Sequence, residues 1–315
     1  MTLDLWTLAI LLSKLVAYIS FASLTGGFFI LWLYSTGNLR ASGAEESQDL
    51  RSFAFARTLL PFFLLNSLLG LASTLVFFLL QVGMINQSGM LGMFDWLMTT
   101  ILMQTAVGTG VGLKVASFVL LGIASLCLYL TLILRQTVQI NVPFGALIVL
   151  GVGLACAGYA SLGHVASLGA LEQFVMGLHM LAIATWVGAF YPLYVLCQSE
   201  PGTHVYPLMK RFGDWGWLIT LCLSAAGAYL LTQLLSAPAE LVATSYGRLI
   251  ALKVLCVLCL LGLAALNKFR LVPSLKVAGA QPLARSIQGE MSLAFVILVV
   301  TAILSTVTGP EHLMG

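Results

Sequence analysis

The sequence breaks into eight apolar runs, near residues 5–34, 58–82, 103–134, 142–163, 171–197, 213–236, 245–267 and 289–309. A helix crosses the hydrocarbon of a bilayer with about 20 apolar residues, and each run is close to that length or longer. Lipid offers no water to backbone N–H and C=O groups, so the runs must be helices that bond their own backbone. Composition agrees. Hydrophobic residues are 60% and charged residues 8% of the 315 positions, whereas a water-soluble domain has roughly a quarter of its residues charged. The predicted fold class is all-α, a polytopic membrane bundle of about eight transmembrane helices.

The first run follows Asp4 rather than a basic cluster. It is too long for a secretory signal core of about 7–15 residues, so it is expected to stay as a membrane helix. The net charge of +3 is too small to point to nucleic acid. Where the cations fall is more informative. The connections after the first, third, fifth and seventh runs hold Arg40, Arg51, Arg57, Arg135, Lys210, Arg211, Lys268, Arg270, Lys276 and Arg285, ten of the 14 Lys and Arg. Arg248 alone lies in the other connections, and Lys14, Lys114 and Lys253 lie within runs. By the positive-inside rule the basic connections face the cytoplasm and both termini lie outside.

Short matches recur along the chain. Thr105-x-x-Gly108-x5-Lys114 opens the third run and Thr244-x-x-Gly247-x5-Lys253 opens the seventh. Ser67-x-x-Gly70 in the second run matches Ser224-x-x-Gly227 in the sixth, and the fourth and eighth runs each lead to a histidine, His164 and His312. The spacing predicts two parallel four-helix halves, 1–165 and 166–315, in one membrane domain. Transporters built this way place their sites between the halves.

Candidate ligands gather on the outer face. Met84, Met90 and Met93 lie in the connection after the second run, with Met98 and Met103 beyond. Met176, His179 and Met180 open the fifth run at spacings that share one helix side. His164 ends the fourth run, and His312 and Met314 lie at the C-terminus. Thioether and imidazole together suit a soft cation, Cu(I) before Cu(II). The predicted metal set is His164, His179, Met176, Met180, His312, Met90 and Met93. His204 reads as a solvated loop residue. The six cysteines fall mostly in apolar runs, where they act as small hydrophobes, and Cys256-x-x-Cys259 is read the same way.

Lys114 and Lys253 lie about 12–15 Å inside their helices. Intramembrane cations are costly and mark a partner or a cavity, so the two are expected to gate or position, beside a carboxylate or backbone carbonyls. Glu290, at the start of the last run, is expected to meet the basic loop residues. Gly108-Thr-Gly-Val-Gly-Leu-Lys114 lacks the Lys-Ser/Thr ending and the strand of a phosphate loop. No Ser-His-Asp, H-E-x-x-H or paired-carboxylate arrangement is present, so no enzyme is predicted.

Four stretches resemble the CopD/PcoD copper-resistance membrane proteins of bacteria. They are Gly163-His164, Leu178-His179-Met-Leu-Ala-x3-Trp186-Val-Gly188, Thr244-Ser-Tyr246-Gly247-Arg248-Leu-x3-Lys253, and Arg285-Ser-Ile-x2-Glu290. The first half is similar mainly in hydropathy, and no histidine stands near Ala17 or Tyr18, where a symmetric partner of His179 would fall. The resemblance implies an inner-membrane protein that handles copper with a periplasmic CopC-like partner. It makes His164 and His179 the preferred ligands, Trp186 a residue shaping their site, and Tyr246, Arg248 and Lys253 a positioning or gating set. Copper transport or delivery is the leading expectation. The alternatives are a haem b redox enzyme using His164 and His179 as axial ligands, and a non-transporting membrane partner or sensor for a periplasmic copper protein.

Overall fold

The computed structural model describes residues 4–38, 45–136, 140–162, 168–235 and 237–307, without the side chains of 37–38 and 45–52. Eleven α-helices are described: α1 Leu5–Asn38, α2 Glu45–Asn86, α3 Trp96–Met103, α4 Ala106–Arg135, α5 Val142–Ala160, α6 Ala170–Ser199, α7 Gly202–Leu234, α8 Glu240–Ala243, α9 Ser245–Leu266, α10 Val272–Ala278 and α11 Gln281–Leu304. Eight segments are long and apolar enough to cross a membrane, as the sequence predicts. Several boundaries differ. The second span begins well before residue 58, because the polar stretch from Glu45 continues the same helix. The Met-rich connection is not an open loop but a 3-10 turn, Gly89–Phe94, followed by α3.

The repeated Thr-x-x-Gly motif has a local explanation. Thr105 and Thr244 are the N-caps of α4 and α9, their hydroxyls accepting from the N–H of Val107 (3.2 Å) and of Gly247 (2.9 Å). A side chain on Gly108 would strike the backbone of Met103, and one on Gly247 would strike that of Glu240 and Leu241. The glycines let the short helices α3 and α8 press on the helix starts that follow them.

The bundle is organised around α1 and α6, which pack closely. Small residues allow it. A Cβ on Gly188 would overlap the carbonyl of Ala22, and one on Gly26 would overlap the backbone of Gly188 and Ala189. Among apolar helices in lipid such close approach is a principal source of association, since burial from water contributes little. From this crossing α2, α4 and α5 extend to one side, and α7, α9 and α11 to the other. The main core is continuous across it, from Phe21, Phe28 and Phe63 to Trp186, Phe190 and Ile287. At the end with the basic connections, Arg211 on α7 donates to the Leu33 carbonyl and, at 3.0 Å, to the Thr36 hydroxyl.

The two sides differ in one respect. α2 and α4 pack closely along a seam where Phe118 is received by Gly70, whose missing side chain leaves the space for the ring. The corresponding α7 and α9 barely touch. In the third span, Phe118 lies four residues after Lys114; in the seventh, Val257 lies four after Lys253, and no ring closes the seam. The sixth and seventh spans, which carry α7 and α9, are the least buried, at 22% and 17%.

Replacing Gly188 by Leu is expected to lower stability by about 3 kcal/mol, read as a fall in the detergent melting temperature. Gly112→Leu, where no atom lies within 4 Å, should leave the melting temperature nearly unchanged.

Candidate functional site

His179 lies on α6 where that helix faces the loose seam. Its ring rests on Gly227 of α7, so closely that a Cβ there would lie 3.2 Å from Cε1 and 3.6 Å from Nδ1. The backbone of Leu223, one turn earlier on α7, interacts with the imidazole, and Lys253 of α9 is near enough to act on it electrostatically. Three helices thus converge on one ring. Its Nδ1 is shielded from solvent and has no hydrogen-bond partner. A buried polar atom without a partner is rare in a folded protein and points to a ligand, an ion or a water.

Glu172 and Tyr229 form a second link between α6 and α7. The tyrosine hydroxyl donates to the Glu172 carboxylate at 2.8 Å, tying α6 to α7. Glu172 is seven residues before His179, about 10 Å along the same face. Sequence reasoning missed this pair, and it missed Gly227 as the platform for His179, although the Ser224-x-x-Gly227 match had marked the glycine.

The other predicted site residues are spread out. Met176 is half-buried one turn from His179, and Met180 packs against the main core. Met90 is 77% exposed on the 3-10 turn, whereas Met93 packs with Trp6 beside Gly83. Met90 and Met93 therefore lie on the first-half side of the bundle, away from His179. His164 and His312 lie outside the described residues. Trp186 is buried in the core, its ring 6.4 Å from that of Phe190. Tyr246 is buried near the start of α9, and exposed Arg248 bonds Ser245 of its own helix at 3.3 Å.

Among the described residues Lys114 has no hydrogen bond to the expected carboxylate or carbonyls. It is 4% exposed, with its ammonium over the rings of Phe77 (5.0 Å) and Tyr159 (5.1 Å). The negative ring faces take the place of a counter-charge. Lys14 joins it from α1, 5.6 Å from the Phe77 centroid, and donates to the Ser305 carbonyl at 2.6 Å. Tyr159 is held in place by its hydroxyl, which donates to the Ala17 carbonyl at 3.1 Å. The position where a symmetric histidine would fall is thus occupied by the Tyr18–Tyr159 contact, with ring centroids 5.3 Å apart.

Glu290 also departs from expectation. It is 4% exposed on α11 and hydrogen-bonds the side chain of Asn267, not a basic loop residue. His204 pairs with Glu200 at 3.2 Å on the exposed surface. No cluster of three His, Cys, Asp or Glu side chains is present among the described residues. A cavity of about 820 Å³ between α1, α5 and α6 is lined almost wholly by apolar side chains. It suits hydrocarbon rather than an ion.

Residues 206–304 match the family model described as Copper resistance protein D. The match covers less than half of the chain; over that region the chain is similar to the CopD copper-resistance family. The match runs from early α7 to the end of α11. It includes Leu223, Gly227, Tyr246, Arg248, Lys253, Asn267 and Glu290, and ends short of His179. No curated protein and no solved structure matches the chain. Eight helices are long and apolar enough to cross a membrane, and the matched region is similar to copper-resistance membrane proteins.

Placing a bulky side chain at position 227 should displace the imidazole from α7. In protein labelled with ¹⁵N-histidine, Gly227→Leu is expected to shift the His179 ring nitrogen resonances. Gly216→Leu on the same helix, where no atom lies within 4 Å, should leave them in place; equal shifts in both would refute the packing described.

Proposed function

We propose that this CopD-like protein moves copper ions across the bacterial inner membrane through its second half, with His179 as the ligand at the outer entrance. The observation that carries this reading is the solvent-shielded, partnerless Nδ1 of His179, at a seam whose walls α7 and α9 are only loosely packed. The CopD match covers both walls. A neutral imidazole nitrogen is a copper ligand, and the Met176 thioether one turn away offers a second soft donor, which favours Cu(I) over Cu(II). His164, from the segment before α6, is the proposed third donor. His312, Met180, Met90 and Met93 are secondary candidates.

Lys253 gives the entrance a further property. An ammonium near the imidazole raises the energy of a second cation there. A site balanced in this way holds copper briefly and lets it go, which suits passage better than storage. Tyr246 and Arg248, at the outer start of the same helix, would set its position.

The arrangement of halves agrees with this reading. We take 1–165 and 166–315 as parallel halves that meet at the α1–α6 crossing. The first is closed by Phe118 and by the aromatic contacts of Lys114, and it has no histidine counterpart of His179. Only the second half would conduct. The basic connections would face the cytoplasm and both termini the periplasm. Copper would then arrive at His179 from a periplasmic CopC-like protein, and the chain would act as a transporter rather than an enzyme.

The test is the copper and chromophore content of purified protein. Wild type is expected to hold near-stoichiometric copper with no Soret band. His179→Ala should weaken binding by about 10-fold or more, by analogy with loss of a ligand or its support in other metal sites, and His164→Ala/His179→Ala should abolish it. Full copper binding in the double variant would remove both residues from the site. A Soret band lost in the double variant would make the protein a haem cytochrome instead.

A further inference from the structure

The apolar cavity between α1, α5 and α6 has a structural cause. α5 packs along α4, and α1 packs along α6, but α1 and α5 scarcely meet. A wedge is left between the two packed pairs, walled by Phe29 and Trp32 of α1, Ile148 and Val152 of α5, and Leu181 and Thr185 of α6. Its volume of about 820 Å³ is within the range of about 300–1,000 Å³ of pockets that bury a small ligand. Gly153 of α5 widens it, with no atom within 4 Å of where a side chain would begin. Two hydroxyls of the wall are turned back onto their own helices, Ser161 to the Ala157 carbonyl and Thr185 to the Leu181 carbonyl, each at 2.8 Å. The wall therefore presents hydrocarbon.

The three helices that enclose the wedge are membrane spans, and the span of α5 is only 28% buried, so the wedge opens to lipid. A gap left empty there would forfeit the dispersion contacts of its walls. The two ends of the wedge differ in charge. Trp32 stands at the end with the basic connections, where its ring lies 6.4 Å from that of Trp215 on α7. Indole rings at the end of a span mark the boundary with lipid headgroups. Arg211 holds the Leu33 carbonyl, next to Trp32, and the Thr36 hydroxyl, and its five-donor fork has N–H groups to spare. Arg135 ends α4, exposed, five residues before Ile140 of the wall. At the opposite end the wall is Ser161 and Ala170, and neither α5 nor α6 carries any Lys or Arg.

We propose that this wedge is a binding site for one anionic phospholipid of the leaflet on the basic side, with an acyl chain between α1 and α5 and its phosphate at Arg135 and Arg211. Basic pockets between spans are a recurring means of holding anionic headgroups, and guanidinium pairs closely with phosphate oxygens. The chain supplies the contacts that α1 and α5 do not make with each other, and so joins the α4–α5 pair to the α1–α6 crossing. It also reaches the helix of the candidate copper ligand, because Leu178 and Leu181 of the wall flank His179 in α6. The site stands independently of the transport reading.

The test uses the full chain in mild detergent, with phosphatidylglycerol and phosphatidylcholine of the same acyl chains as probes. Native mass spectrometry of wild type is expected to show one retained phospholipid, with phosphatidylglycerol held about 10-fold more tightly, as two arginines near an anionic headgroup allow. Gly153→Phe should fill the wedge and abolish retention, and Arg135→Gln should remove most of the preference for phosphatidylglycerol. Gly262→Phe on α9, a position also without neighbours within 4 Å, should change neither. In wild type, phosphatidylglycerol with a photoreactive acyl chain should label Ile148 and Val152 before the lipid-facing residues of α7 and α9, a measurement that does not depend on the folding of any variant. Labelling spread evenly over the spans, equal retention in Gly153→Phe and Gly262→Phe, or equal affinity of wild type for the two lipids overturns the proposal.

Discussion

The bundle depends on how closely α1 and α6 approach one another. Lipid-immersed helices gain little from burying apolar surface, because the surrounding tails are as apolar as leucine. What holds them is contact, and contact between backbones needs Ala22 and Gly26 on one helix and Gly188 and Ala189 on the other. This crossing fixes the angle and depth of α6, and α6 carries both Glu172 and His179. The imidazole therefore meets Gly227 and Lys253 at a position set two to three turns away from it. Trp186 and Phe190, buried around the crossing, fill the volume that a looser approach would leave empty.

Polar groups within the spans are treated differently on the two sides of that crossing. Near α1, two lysines are surrounded by Phe77, Tyr159, Tyr18 and the Ser305 carbonyl, and every ring around them is packed. This is a closed solution to the problem of a cation in lipid. Three polar groups near α6, α9 and α11 have an atom without a partner. His179 keeps a free nitrogen, Asn267 a free oxygen, and Ser286 a free hydroxyl. Buried hydroxyls of Ser20, Thr25 and Ser117 on the other side also have no partner, so it is the imidazole and the amide, not the number of such atoms, that set this side apart.

The span count was legible because it depends on a strong signal, runs of apolar residues long enough to cross lipid. The Thr-x-x-Gly motifs were legible as a pattern, but their cause was not. A cap that pairs Thr244 with Gly247 is local, whereas the pressure of α8 on Gly247 depends on how the preceding chain folds back. His179 could be singled out because imidazole is rare in this sequence. Its platform could not, since nothing in a linear reading of Gly227 says which ring will rest on it. The methionines show the opposite error. Met93 and Met90 share an outer connection with each other but not with His179, because that connection folds over Trp6 and Gly83 on the far side of α1. Which spans each methionine adjoins was readable; position around the bundle was not.

The partner of Lys114 was misjudged for a related reason. Charge pairing is the usual expectation for a buried ammonium, and the sequence has few carboxylates to offer. With the acids held mostly in connections, the remaining ways to keep a cation inside are carbonyls and aromatic faces. Phe77 and Tyr159 come from α2 and α5, helices that only the folded bundle brings to the same ammonium. The same scarcity gives Glu290 its character. In a chain with so few acids, an acid buried in a span and paired with an amide rather than a cation has no basic residue to neutralise it.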